Sequence, residues 1–492
     1  MNTPSKKPRR PRFADGPSRT RNVRPTARPA PARPVDADGI SAGLLDATVA
    51  AVSRLLHFTQ SADAALSGFF REQKSGARDR AFIAETAYAV LRQKRLLEKL
   101  AALSPLPTAK SFRARATRTT DSPAHDATNA PDTTTHTASP RALVLLALTR
   151  LRGFSQRQIT PALRRHEVDW LQALREQAEP ELTLAEQLDL PDWLAERLAA
   201  RLPADELQAL AHALNTPAPL DLRVNSLKSS REAVLAELAA QGIAALPCPY
   251  SPLGIRLKSK PALQQQPLFL SGAIEVQDEG SQLLGYLLAP RRGEMVADFC
   301  AGAGGKTLLL GAMMRSTGRL YAFDVAEKRL ARLKPRVARA GLSNVHPILI
   351  ANENDLRVKR LAGKCDRVLV DAPCSGLGTL RRNPDLKWRQ TPQDVTELTQ
   401  KQAAILVAAA RLLKPGGRLV YATCSVLDEE NAAIVDAFLA AHPDFHRLSA
   451  HEVLAAQGIA VDCSEEGNKD FRLLPHRHGT DGFYAAVLER TA

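Results

Sequence analysis

The sequence has few cysteines, six in 492 residues, and no two of them have the C-x-x-C spacing of zinc sites. Secreted domains that depend on disulfides carry cysteine at much higher density. No apolar core of about 7 to 15 residues follows the basic N-terminal residues, and no apolar run reaches about 18 residues. These absences argue against a disulfide scaffold, a metal site, export and membrane insertion, and they predict a cytoplasmic protein.

Acidic residues are scarce at the N-terminus. The first 35 residues carry ten Lys or Arg against Asp15 alone, a surplus of nine positive charges out of +15 for the whole chain. The segment is rich in Pro, Arg and Ser and has no apolar periodicity, which predicts a disordered basic arm over residues 1–39. Such an arm fits a polyanion such as RNA, although a tail that only improves solubility would have the same composition.

Apolar residues at spacings of three and four predict a helical domain over residues 40–215. A stretch rich in Thr, Ser and Pro interrupts this pattern and predicts a disordered insertion at about 108–140. Short apolar runs between turn residues then predict a small α+β module over residues 216–290.

Strand and helix patterns alternate over residues 291–492, which predicts an α/β domain with a doubly wound parallel sheet. The predicted strands are 295–299, 320–323, 348–350, 367–370, 419–423 and 485–488. In such sheets, ligands bind at the carboxyl ends of the strands.

A glycine-rich turn over residues 298–307 follows the first of these strands. A phosphate-binding P-loop would need glycine where Cys300 stands, and a dinucleotide fingerprint would need glycine where Thr307 stands. Asp324 ends the next strand, where a carboxylate can accept hydrogen bonds from ribose hydroxyls. The turn and Asp324 together favour an adenosine-containing ligand, whereas the turn alone could be purely structural.

Two cysteines lie just after predicted buried strands, Cys374 in Asp-Ala-Pro-Cys-Ser-Gly and Cys424 in Thr-Cys-Ser. A single cysteine at such a place is usually a small buried hydrophobic residue. Two of them after strands of one sheet indicate paired thiol chemistry. The other four cysteines show no such pattern.

These residues resemble the RNA cytosine-5 methyltransferases related to the Sun and RsmB proteins. Residues 79–85 are similar to the NusB-like domain of the RsmB branch, and the resemblance covers about residues 40–105 and 140–490. The motifs that carry it are the glycine turn, both cysteine motifs and residues 222–227, 276–281, 381–388, 413–417, 430–431 and 479–483.

The resemblance implies a class I methyltransferase sheet preceded by a small α+β RNA-binding module and an all-helical NusB-like domain. It assigns attack on carbon 6 of cytosine to Cys424 and assistance in product release to Cys374. Asp371 is suited to hydrogen-bond the base. Activation of Cys424 would come from Lys306 or from the positively charged methyl donor.

The implied cofactor is S-adenosylmethionine, with no metal. In the family an Asp after the third strand contacts adenine; here spacing favours Asn352 and residue type favours Asp355, which we choose. The expected cofactor-binding residues are Cys300, Ala301, Gly302, Ala303, Gly304, Gly305, Lys306, Asp324, Asp355 and Asp371.

The predicted function is methyl transfer to carbon 5 of a cytosine in RNA, with 16S ribosomal RNA as the expected substrate of a monomeric enzyme. We expect Arg381, Arg382, Lys387 and Trp388 to hold phosphates and to stack on a base. Three alternatives remain: a tRNA cytosine-5 methyltransferase, a methyltransferase acting on a nucleobase nitrogen, and a non-catalytic RNA-binding assembly factor.

Overall fold

The structure is a computed structural model that describes residues 39–107, 138–464 and 467–491. The predicted basic arm and the predicted insertion fall almost wholly outside these residues. Within the described ranges, every helix is too short or too polar to cross a lipid bilayer.

The N-terminal helices bury their apolar faces in a core of their own, which runs from Ile40 to Leu174. Ser41 and Ser61 each accept a hydrogen bond from a backbone N–H of the first turn, and these caps set where the first two helices begin. The helices of this domain are Ala42–Leu55, Ala62–Glu72, Ala77–Arg92, Lys94–Leu103, Pro140–Leu146, Gln156–Ile159 and Arg165–Glu176.

The next three helices, Leu184–Leu188, Asp192–Ala199 and Ala204–Leu214, pack elsewhere. Their apolar residues share a core with Leu377 and Val426 of the C-terminal domain. Packing therefore divides the chain before residue 185, whereas the sequence placed the boundary at residue 215. A helical repeat shows which face is buried but not which domain covers it.

Four strands form a small antiparallel sheet in the order β2-β3-β1-β4. They are β1 Leu220–Val224, β2 Ala245–Pro247, β3 Gly254–Leu257 and β4 Ile274–Val276. Val234 and Leu238 of helix Arg231–Ala240 pack into its core, and the short helix Pro267–Leu270 contributes Leu268. The sheet and its helices form an α+β module where the sequence predicts one.

The C-terminal domain contains an eight-stranded sheet in the order β10-β12-β9-β8-β5-β6-β7, with β11 paired to β12. Its strands are β5 Met295–Asp298, β6 Arg319–Asp324, β7 Val345–Leu349, β8 Cys365–Asp371, β9 Leu413–Thr423, β10 Phe445–Leu448, β11 Phe471–Leu473 and β12 Phe483–Arg490. The accompanying helices are Glu279–Leu288, Gly305–Met313, Glu327–Ala340, Leu356–Lys359, Leu386–Arg389, Pro392–Ala410, Ala432–Ala441, Ala450–Ala455 and Pro475–His478.

The predicted α/β class is confirmed, and strands β5 to β9 are parallel to one another. The sheet as a whole is mixed, because β12 runs antiparallel to β9 and also pairs with β10 and β11. Sequence periodicity carries no strand direction, and β10 and β11 are too short to give a clear pattern. Chain order reverses between β5 and β8, which leaves a crevice at their carboxyl ends.

Candidate functional site

A cavity of about 470 Å³ lies at the carboxyl ends of β5, β6, β8 and β9. The glycine turn, Asp324, Asp371 and both motif cysteines line it. The structure therefore brings together elements that are up to 126 residues apart in the sequence, from Asp298 to Cys424. This volume lies in the range of small-molecule sites, about 300 to 1,000 Å³.

The glycine turn is fixed by close packing and by two arginines. Gly304 has φ +86°, and a Cβ atom there would lie 2.1 Å from Leu333 Cδ1, so both the conformation and the space require glycine. Arg336 donates to Ala303 O at 2.6 Å, and Arg223 of the small sheet donates to Gly305 O at 2.7 Å. The small sheet thus supports one wall of the cavity.

Asp324 lies where the sequence predicts it, at the end of β6 and facing the cavity. Gly302 N donates to Asp324 Oδ2 at 2.8 Å, and Ala326 N donates to Oδ1 at 2.7 Å. Each carboxylate oxygen can accept a further hydrogen bond. The carboxylate is therefore oriented by the glycine turn while it keeps capacity for a ligand.

The structure does not support the choice of Asp355. Its carboxylate accepts hydrogen bonds from Ala351 N at 2.9 Å and Arg357 N at 2.8 Å, which lower its pKa and cap a short helix. Among the described residues, the segment contributes Ile350 and Glu353 to the cavity wall, and neither Asn352 nor Asp355. Glu353 stands between the two candidates, and spacing could not separate it from them.

The two thiols lie next to each other, with Cys374 Sγ and Cys424 Sγ 3.4 Å apart. Strands β8 and β9 are parallel neighbours in which Asp371 pairs with Ala422, so the loops that follow them meet. A hydrogen bond with Cys424, burial and a nearby carboxylate raise the pKa of Cys374. Both thiols are free and half-buried.

Lys306 forms an ion pair with Asp371, Nζ to Oδ2 at 2.6 Å, inside the same cavity. Burial alone would lower the pKa of Lys306, but the negative charge of Asp371 and the proximity of Cys424 outweigh it and raise the pKa. The Lys306 ammonium is therefore a cation fixed beside Asp371, and it also faces Cys424, the expected nucleophile.

Asp298 is a buried acid in the wall of the cavity. Thr307 donates to its Oδ2 at 2.6 Å, whereas Oδ1 has no hydrogen-bond partner among the residues that the structure describes. Burial raises the pKa of Asp298 to about 7, although the Thr307 hydrogen bond opposes that shift. A buried acceptor without a partner is suited to a ligand's hydrogen-bond donor.

The expected RNA contacts of Lys387 and Trp388 are wrong. Lys387 is fully buried and donates to Arg92 O at 2.8 Å, Asp189 O at 2.6 Å and Asn215 Oδ1 at 2.7 Å. Trp388 Nε1 donates to a backbone oxygen of the helical domain at 2.8 Å. These side chains join the C-terminal domain to the helices before it.

Arg381 and Arg382 are also committed inside the protein. Arg381 donates to the backbone oxygens of Gly479 and Thr480 at 2.9 and 2.8 Å. Arg382 pairs with Asp278 and Asp481 at 2.8 and 2.6 Å. The charges of this basic segment are therefore used for internal contacts and not, as the sequence predicts, for phosphates.

Two protein-family models match parts of this chain. The model for 16S rRNA methyltransferase RsmB/F matches residues 285–489, and the model for an RsmF/B-like ferredoxin-like domain matches residues 190–264. The second match begins near the packing boundary described above, before residue 215.

Known relatives and a solved structure are also similar to this chain. A probable ribosomal RNA small subunit methyltransferase B of Synechocystis is 37% identical over 344 residues, which are 69% of this chain and 75% of the relative. A ribosomal RNA small subunit methyltransferase B of Sodalis glossinidius is 40% identical over 61% of this chain and 66% of its own. The crystal structure of PH0851 superposes with a TM-score of 0.71 at 28% identity, covering 92% of this chain and 99% of that one. The chain therefore belongs to the RsmB/F family of 16S rRNA methyltransferases.

Proposed function

We propose that this chain transfers a methyl group from S-adenosylmethionine to carbon 5 of a cytosine in 16S ribosomal RNA, through a covalent bond between Cys424 and carbon 6. The observation that carries the proposal is the pair of thiols 3.4 Å apart in a ligand-sized cavity. Methyl transfer to a nucleobase nitrogen needs no thiol, and a binding factor needs no nucleophile.

The cavity fits the proposed cofactor in its chemistry. When bound, S-adenosylmethionine supplies an electrophilic methyl group on a positively charged sulfur. Asp324 would hold the ribose hydroxyls beside the glycine turn, and Glu353 lies on the stretch after β7 where an adenine contact is expected. The unpartnered Oδ1 of Asp298 suits a donor such as the ammonium group of the methionine part.

The chemistry of methyl transfer to carbon 5 of cytosine explains why the site contains two thiols. Carbon 5 of cytosine is a weak nucleophile, so the Cys424 thiolate adds to carbon 6 and moves an electron pair toward carbon 5. Asp371, held by Lys306 at 2.6 Å, is placed to hydrogen-bond the base while charge develops on it. After methylation a base removes the carbon 5 proton, and the electrons of that bond restore the double bond between carbons 5 and 6. The carbon–sulfur bond breaks, and its electrons return to Cys424. Cys374 lies within reach to assist this release.

We expect the enzyme to act as a monomer in the cytoplasm, where its ribosomal RNA substrate is found. RNA would be held outside the segment 381–388, whose charges are used internally.

Covalent trapping tests the proposed function. RNA that carries 5-azacytidine at the target position cannot complete release, so the wild-type enzyme should form an adduct that survives denaturing electrophoresis. Cys424→Ser should form none, and an adduct that persists in this variant would contradict the assignment. Cys463→Ala, a change at a buried thiol outside the cavity, should form the adduct as wild type does.

The same assay separates the roles of the two thiols. With ordinary cytosine, Cys374→Ala should accumulate a covalent RNA complex because release is slowed. Rapid turnover in this variant would refute the role of Cys374. Bisulfite sequencing of 16S ribosomal RNA and of tRNA, from cells with and without the gene, would show which RNA is methylated.

A further inference from the structure

Gln277 directly follows β4 of the small sheet, yet it lines the cavity of the C-terminal domain. The residue is only 8% exposed. Its backbone is held on both sides, because Gln277 N donates to Asp221 O at 3.1 Å and Gln282 Nε2 donates to Gln277 O at 3.0 Å. The family resemblance assigns this part of the chain to an RNA-binding module, but the side chain of Gln277 belongs to the cavity wall.

Arg223 determines which way the Gln277 amide points. The buried guanidinium of Arg223 donates to Gln277 Oε1, and it also donates to Gly305 O at 2.7 Å. A guanidinium has donors only, so the amide atom that faces it must be the oxygen. The NH₂ group therefore lies on the other side, where it donates to Ser281 Oγ at 3.2 Å. An amide NH₂ has two hydrogens, and the second has no acceptor among the residues that the structure describes.

This amide nitrogen lies beside the first turn of helix Gly305–Met313. A Cβ atom built on Gly305 would lie 3.9 Å from Gln277 Nε2. The first N–H groups of a helix have no acceptor within the helix, and they favour a negative charge. Thr307 of the same turn donates to Asp298, whose Oδ1 has no partner within the described ranges. A donor suited to an anion and an acceptor suited to a cation therefore lie next to one turn of helix.

The charges of the cavity wall limit where a ligand carboxylate can lie. The wall contains the carboxyl groups of Asp298, Asp324, Glu353 and Asp371 and the cations Lys306, Arg329 and Lys401. A ligand carboxylate would be repelled by the acids, and Lys306 is already paired with Asp371. An amino acid carries an ammonium and a carboxylate on the same carbon atom, so the partners of these two groups must lie close together. Gln277 and Asp298 meet this requirement through the helix turn that both adjoin.

We propose that Gln277 binds the carboxylate of the methionine part of S-adenosylmethionine through its second amide N–H, while Asp298 accepts from the ammonium group. This assignment rests on the proposed function, which supplies the cofactor. It makes the small α+β module a part of the cofactor site as well as a support for the glycine turn.

Gln277→Glu is the decisive variant, because it keeps the size of the side chain and an acceptor for Arg223 but replaces the NH₂ group with an anionic oxygen. The measurement is calorimetric binding, without RNA, of S-adenosylhomocysteine and of its decarboxylated analogue, which lacks only the carboxylate. Binding of S-adenosylhomocysteine should weaken about ten- to hundredfold, the usual effect of losing a hydrogen bond to a charged group. Binding of the decarboxylated analogue should not weaken, because that ligand has no carboxylate to repel.

Gln277→Met removes the donor without adding a charge, and it should weaken S-adenosylhomocysteine binding about tenfold. Gln241→Glu is the matched control, since Gln241 is an exposed amide of the same module that bonds with Glu237 and does not line the cavity. It should bind both ligands as wild type does.

Equal weakening of both ligands in the Gln277 variants would show that the amide only maintains the shape of the wall, and it would overturn the proposal. Arg329→Met tests the competing cation: if it removes the preference for the carboxylate while Gln277→Glu keeps it, Arg329 is the carboxylate partner. A wild-type enzyme that binds neither ligand would refute the proposed cofactor and this inference together. Wild-type affinity of Gln277→Glu for S-adenosylhomocysteine would overturn the inference alone.

Discussion

Two lysines of the C-terminal domain, Lys306 before the Cys374 loop in the sequence and Lys387 after it, have opposite surroundings. Lys306 faces the carboxylate of Asp371 at 2.6 Å and keeps 13% of its side chain exposed to the cavity. Lys387 is fully buried and meets three neutral oxygens, two of them from the backbone. Burial lowers the pKa of Lys387, whereas the carboxylate partner of Lys306 reverses that effect.

The difference shows how one residue type serves catalysis or assembly. A cation beside a carboxylate and a thiol in a cavity can stabilise charge that appears during a reaction. A cation that uses all three of its donors on oxygens of other segments holds those segments in place and has no capacity left for a substrate. The cavity and the joint between domains can therefore be tested separately, by exchanging each lysine for methionine.

The largest effect is expected for Lys306→Met on methyl transfer. Losing the cation that faces Asp371 and Cys424 should slow single-turnover methylation by about 10²- to 10³-fold, the usual effect of removing one preorganised electrostatic group. Stability should change by only about 1 kcal/mol, because the Asp371 side chain is 30% exposed and can be solvated. If Lys306→Met lost stability but methylated RNA at the wild-type rate, Lys306 would serve assembly and not catalysis.

Lys387→Met should act on stability instead. It leaves the oxygens of Arg92, Asp189 and Asn215 without their donor, which should cost about 3 kcal/mol in the free energy of unfolding measured with urea. Lys359→Met, at an exposed position, should change that free energy by less than about 0.5 kcal/mol. A Lys387→Met variant with unchanged stability but weaker RNA binding would restore the original interpretation of this segment as a phosphate contact.

The cavity and the joint between domains also differ in how far the sequence predicts them. The glycine turn, Asp324 and the two cysteine motifs each follow a strand of one parallel sheet, so a local pattern was enough to bring them to one edge. The partners of Lys387 lie up to 295 residues away in the sequence, and nothing near it indicates them. Glu430 is one residue of a short motif in the sequence, and its hydrogen bonds with Ser375 and Ser425 arise only in the folded chain.

Packing also differs from the sequence pattern at one domain boundary and at one side chain, for related reasons. The helices from Leu184 to Leu214 have an apolar face like those before them, but they bury it against the C-terminal domain. Residue type favours Asp355 over its neighbours, but the structure uses its carboxylate as a helix cap. Residue type and period identify an element or a kind of chemistry, whereas the partner depends on long-range packing.

The smallest expected effect concerns Asp298, the buried acid of the cavity. Its pKa is raised by burial to about 7 in the fold, above the unfolded value, so the protonated form stabilises the folded state. That stabilisation is complete at low pH and is lost as the pH rises through about 7. Between pH 6 and pH 8 the wild type should lose about 1 kcal/mol of unfolding free energy relative to Asp298→Asn.

Asp366→Asn is the control for this measurement, because the Lys414 ion pair and a backbone hydrogen bond outweigh burial and lower the pKa of Asp366. Its contribution is present above the unfolded pKa and disappears only in acid, so it should show no difference between pH 6 and pH 8. An Asp298→Asn variant that follows the wild-type pH dependence would mean that Asp298 is ionised in the free enzyme. The cavity would then already hold a negative charge that suits a cationic ligand. The contrast with the joint at Lys387, which is closed by internal hydrogen bonds, would become sharper.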